Sequence, residues 1–268
     1  MRLMPTGSPF AELPGGLPPG AVLETDQDYF DDETWAGRDV LWVSDERLPD
    51  AAAHWLRLYE RRAETGLYPL LLDTLGGDDA RPWHSREFSP APVGTIDVLS
   101  AAGVLRRFWD EVAAEPEEDE DADIPTGAWP GLAAPGEDGR DPDAVARGLA
   151  TSLGESRSWL LGLVPAGRGA DTLTLAGWDG PVNHTGYTQE LSAVVRSWEE
   201  RFGARVVAVG FDTLDLSVAA PPVTFEHALN VAAEHHAFCP DNVWQGSGSL
   251  EEYAKGLVGA DRWTFWWD

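Results

Sequence analysis

Four short runs in this chain are apolar almost without a break: VLWVSD over residues 40–45, LYPLLLDTL over 67–75, SWLLGLVPA over 158–166 and ARVVAVGF over 204–211. A strand with one wet face alternates apolar and polar residues, so runs like these predict strands buried in the interior of a sheet. Such a sheet needs helices to cover it, and the chain supplies amphipathic candidates. Pro49 and Asp50 start a helix that Gly66 stops, with Trp55, Leu58 and Tyr59 at core spacing. Residues 96–114 keep a 3.6-residue period through Val98, Leu99, Ala102, Leu105, Phe108, Trp109 and Val112. Residues 188–203 place Leu191, Val194, Val195, Trp198 and Phe202 on one stripe, closed by Gly203. Thr224 caps a helix over 224–238, and Ser249 with Glu252 has capping-box spacing at the head of another. DTLTLAGW (171–178), LDLSVA (214–219) and the terminal RWTFWWD read as further strands. The predicted fold class is α+β, a mixed β-sheet covered by helices, with an N-terminal strand-helix-strand region joined through an acidic linker.

That linker is the block EPEEDEDAD, residues 115–123, seven of whose nine residues are acidic. Closely spaced carboxylates repel one another and oppose compaction. Pro and Gly follow as far as Pro142. The sequence therefore divides into an N-terminal α/β region (1–114), an acidic Pro/Gly-rich linker (115–149) and a C-terminal α+β domain (150–268). The last part is expected to fold as a unit, with its terminal strand integral to the sheet. Residues 1–20 read as an irregular lead-in, because LPGGLPPG cannot propagate a helix or a central strand.

The net charge of −27, from 19 basic and 46 acidic residues, repels phosphate backbones and anionic lipid. Nucleic acid and membrane are not expected as partners; a basic protein is. The single cysteine, Cys239, allows no intrachain disulfide, and no apolar run reaches the length of a membrane span or a signal peptide. A cytoplasmic location is the expectation. Nothing in the sequence speaks to oligomeric state.

Polar residues at element ends mark a candidate catalytic site: His184 in the loop NHTG, Asp212 just after an apolar strand, and His235 and Asp241 around the end of the 224–238 helix. The bland reading of Asp212 is a local turn, Gly-Phe-Asp-Thr, between two strands. His235 and Cys239 lie four apart, as two zinc ligands can, but the spacing matches no recurrent zinc signature; no metal and no cofactor is expected. No phosphate loop, HExxH or GxSxG is present. Thirteen tryptophans are the oddest feature of the composition. Trp263, Trp266 and Trp267 could form a binding surface, since an alternating strand turns Trp266 away from the other two, or could fill the core.

Three long words, RSWEERFGARVVAVGFDTLDLSVAAPP, AAEHHAFCPDNVWQGSGSL and the terminal WTFWWD, occur in this order in the C-terminal part. They resemble the bacterial, mostly actinobacterial, family catalogued as domain of unknown function 4253, over about residues 159–268. ETGLYPLLL, upstream, looks like the N-terminal part of longer members. The resemblance implies a shared fold. It brings no activity and transfers no catalytic residue. Two expectations follow: an acidic protein-interaction module, such as an immunity or regulatory protein for a basic partner; or an enzyme, metal-dependent or not, built on His184, Asp212, His235 and Asp241.

Overall fold

The computed structural model describes residues 8–25, 37–114, 127–137 and 139–268. Its strands are β1 (Gly20–Glu24), β2 (Asp39–Ser44), β3 (Tyr68–Leu72), β4 (Leu160–Val164), β5 (Arg205–Val209), β6 (Thr213–Ser217) and β7 (Arg262–Trp266). They form one sheet in the order β1-β2-β4-β3-β5-β6-β7. β3 and β5 pair in parallel and the other neighbours are antiparallel, so the sheet is mixed and the fold is α+β, as the apolar runs predict. Every residue of β3 and β4 is buried, which requires cover on both faces. Helices α1 (Ala51–Thr65) and α4 (Pro142–Ser156) pack together on one face. A second set covers the other: α2 (Val93–Asp97), α3 (Ala101–Ala114), α5 (Asp171–Ala176), α6 (Thr188–Phe202), α7 (Phe225–Phe238) and α8 (Leu250–Leu257). Both caps read from the sequence are made: Thr224 accepts from the His227 N–H, and Ser249 from the Glu252 N–H.

Three expectations are corrected. Residues 171–176 are a helix, not a strand: the Thr-Leu-Thr-Leu alternation is too short to decide, and Gly177 closes a helical turn in the left-handed region at φ 67°. The helix drawn over 96–114 is broken, with Val98 in the gap and 83% exposed rather than on the buried stripe. β1, which no apolar run announced, begins where the irregular lead-in read over residues 1–20 ends, and pairs with the edge of β2. The stretch drawn as linker to 149 ends earlier, because Asp141 caps α4 and Pro142 occupies its first turn. The acidic block itself falls outside the described residues. Residues 127–137, however, are tied down. The Ala133 N–H donates to Glu234 Oε1 at 2.7 Å, and Arg201 donates to the Ala133 carbonyl while holding the fully buried Glu234 in a two-point ion pair.

The tryptophans chiefly make core. Trp198 of α6 lies flat on Phe265 of β7, 5.3 Å away, and meets Trp263 and Phe238 edge to face. Trp263 and Trp267 are 1% and 2% exposed, so the outward aromatic surface expected at Trp263, Trp266 and Trp267 is replaced by interior packing, with Trp266 half-buried. The physical reason is area: each large aromatic gains a few kcal/mol, roughly, on leaving water.

Candidate functional site

Strands β3, β5 and β7 run in one direction, and their carboxyl ends open onto a cleft of about 580 Å³. Crevices outside strand carboxyl ends are where α/β sheets hold ligands, because the loops there are free to diverge. Three segments build the walls. The loop after β3 contributes Arg81, Arg86 and Phe88; the loop after α5 contributes Asp179, Val182 and Asn183; the tip of the β5–β6 hairpin and the end of β7 contribute Phe211, Asp212, Trp267 and Asp268.

Local chemistry explains why these loops stay in place. Trp83 donates through Nε1 to the Asp73 carbonyl at the end of β3, and Trp178 donates to the Gly210 carbonyl at the end of β5. The two loops meet where the Ser89 N–H donates to the Gly177 carbonyl. A Cβ at Gly177 would sit 2.2 Å from Pro90 N, so this crossing needs a glycine on both steric and φ grounds. Arg81 is held by both oxygens of Glu87 and covers the Phe211 ring at 4.9 Å. Arg86 has φ 62°, the one positive φ at a non-glycine position among the described residues. That conformation costs on the order of 1 kcal/mol for a side chain of this size and gathers at functional loops.

The cleft's carboxylates are the notable charges. Asp179 accepts from Ser89 Oγ at 2.6 Å, and burial pushes its pKa up, with the nearby Glu87 adding to the effect. Asp212 accepts from Trp266 Nε1 at 3.3 Å; burial raises its pKa too, and Asp73 and Asp268 push the same way. Neither carboxylate has an ion pair among the described residues. In the Gly-Phe-Asp-Thr turn the Gly210 N–H donates to the Thr213 carbonyl, so the turn reading of Asp212 holds for its backbone while its side chain reaches across to β7.

The four residues singled out as catalytic are not gathered in this cleft. Asp212 lines it. Asp241 sits behind its rim, accepting from the Asp268 N–H, and heads a wide helical turn, Asn242–Ser247. His184 follows the lining residue Asn183, but its ring turns inward onto Phe108, 4.6 Å away, and burial lowers its pKa. His235 is fully buried among Trp198, Trp263 and Phe265, with Nδ1 3.1 Å from the Tyr253 hydroxyl, and burial lowers its pKa to about 3. Cys239 donates its thiol hydrogen to the Trp266 carbonyl, and burial raises its pKa, which leaves it a core residue and not a nucleophile. Among the described residues no group of three or more His, Cys, Asp or Glu is arranged to hold a metal, and no helix is long and apolar enough to cross a membrane. Sequence reasoning missed Asp179 and Arg86, whose only signal in the chain is a polar residue in a Gly/Pro-rich loop.

Residues 160–268 match a family model. Its description is Domain of unknown function (DUF4253). No curated protein and no solved structure gives a significant match to the chain. The DUF4253 region begins at the first residue of β4 and carries Asp179, Asp212, Trp267 and Asp268, whereas Arg81, Arg86 and Phe88 lie outside it. The cleft is thus shared between the DUF4253 region and the loop after β3.

Proposed function

We propose that this protein binds a small organic cation with an apolar body in the cleft at the carboxyl ends of β3, β5 and β7. The observation that carries the reading is the pair Asp179 and Asp212, half-buried in one cleft and each without a basic partner. Desolvating a carboxylate without a counter-charge costs free energy that a bound ammonium or guanidinium returns. Leu75, Val182 and Phe211, the apolar lining residues that are not buried, offer hydrocarbon surface beside those carboxylates, which suits a cation carrying hydrocarbon. A volume of about 580 Å³ is the size of a small-molecule site. The chain's charge of −27 draws cations toward it from a distance.

That same charge supports a second source for the cation, the side chain of a basic protein that this chain covers as an immunity or regulatory partner. Calorimetric titration with 2-phenylethylamine and, separately, with an arginine-rich peptide tests both. Binding of the amine, weakened about tenfold in Asp212→Asn, is the expected result. Affinity should hold at neutral pH and fall on acidification through the raised carboxyl range, since protonation removes the charge the ligand needs. Binding of the peptide alone favours the protein partner; indifference of both ligands to Asp212→Asn removes the cleft from consideration.

A further inference from the structure

We infer that the ligand of this cleft is a zwitterion, an amino acid or short peptide with an apolar side chain, whose ammonium group meets Asp179 and Asp212 and whose carboxylate meets Arg86. The inference rests on the cation reading and names the other half of the ligand. Its ground is the asymmetry between the two arginines of the cleft wall. Arg81 is spent: both oxygens of Glu87 accept from one edge of its guanidinium, and its flat face lies on Phe211. Arg86 lines the same cleft, is exposed to solvent, and has no ion pair or side-chain hydrogen bond among the described residues, so its guanidinium is free to meet a ligand. Its backbone is nevertheless fixed. The Arg86 N–H donates to the Trp83 carbonyl, the Phe88 N–H donates to the Arg86 carbonyl, and φ is held at 62° between them. A chain that carries 46 acidic residues and 19 basic ones has carboxylates to spare for pairing an arginine, and its neighbour in this loop is so paired.

An unpaired guanidinium on the loop after β3, and unpaired carboxylates on the loop after α5 and on the β5–β6 hairpin, give the one cleft both signs of charge. A plain amine satisfies the carboxylates and leaves Arg86 in the same cleft as a like charge. A plain carboxylic acid has the reverse fault, set against Asp179, Asp212 and Asp268. A molecule with both charges satisfies both, and its side chain falls on Leu75, Val182 and Phe211. Guanidinium is suited to the task because its fork of N–H donors matches a carboxylate at two points.

The probes are L-phenylalanine, 2-phenylethylamine, which lacks the carboxylate, and 3-phenylpropionate, which lacks the ammonium, titrated calorimetrically into the full chain. Phenylalanine should bind roughly tenfold more tightly than the amine, and the acid should not bind measurably. In Arg86→Gln the phenylalanine affinity should fall by about that factor while the amine affinity rises, because a like charge has gone. Arg86→Gly, whose backbone is at home at this φ, should do the same and guards against a folding defect. If the amine binds the wild-type chain as tightly as phenylalanine, or if both variants weaken the two ligands alike, the zwitterion is wrong and the cation reading stands. If none of the three probes binds, both fall.

Discussion

His236 shows how a single buried side chain ties this protein to pH. It is 1% exposed, lies edge-on between Trp109 and Trp244, and has no partner for either ring nitrogen among the described residues. Burial, reinforced by the neighbouring His184, lowers its pKa to about 4. An ordinary histidine titrates near 6.5, so between about 6.5 and 4 the unfolded chain takes up a proton that the folded chain refuses. Stability attributable to His236 is therefore intact above that window and is lost as pH falls through it, at about 1.4 kcal/mol per pH unit. The half-buried carboxyls of Asp179 and Asp212 act in the opposite sense, since their folded pKa values are raised. A difference measurement isolates the histidine. Relative to His236→Phe, which keeps an aromatic ring in the same box, the wild-type chain should lose stability as pH drops from 6.5 to 4, read from urea midpoints. A pH-independent difference would mean that His236 takes up its proton over the same pH range in the folded and the unfolded chain.

At the level of elements, the exposed edge of β7 is closed by side chains in place of another strand. Asn242 donates through Nδ2 to the Thr264 carbonyl and accepts at Oδ1 from the Trp266 N–H, while the Cys239 thiol takes the Trp266 carbonyl. The Tyr253 hydroxyl of α8 fixes the Asn242 amide from behind. Unpaired edges invite pairing with other chains, so the substitution Asn242→Ala should have two effects. It leaves a strand donor and acceptor unmet, a loss of about 1–3 kcal/mol in chemical denaturation. It also opens β7 to a second copy, seen as light scattering that grows with protein concentration. Loss of stability without association would show that Asn242 supports the fold but does not guard the edge.

The whole molecule is organised by one long-range decision: β4 enters between β2 and β3, so the DUF4253 region supplies an interior strand to a sheet it shares with the N-terminal region. Cleavage within the acidic block 115–123 by a Glu-specific protease should therefore leave the two fragments together on size exclusion. They should part only in denaturant, because separation strips β4 of both neighbours and bares its buried faces. Fragments that separate in buffer would show that the two regions fold independently. What the sequence determined by itself is what local chemistry encodes. Unbroken apolar runs specify β2 to β5, a 3.6-residue stripe specifies α1, α3 and α6, and short-range caps specify where α7 and α8 begin. Asp212 was legible too, as a carboxylate at a strand end. Tertiary structure decided the rest: α5 over a run too short to choose its own period, the order of the strands, and the burial of the terminal tryptophans. It also decided the cleft. Asp179 and Arg86 matter there because their charges lie unpaired in one cleft, and a missing partner is a property of three-dimensional surroundings that no local run of residues can carry.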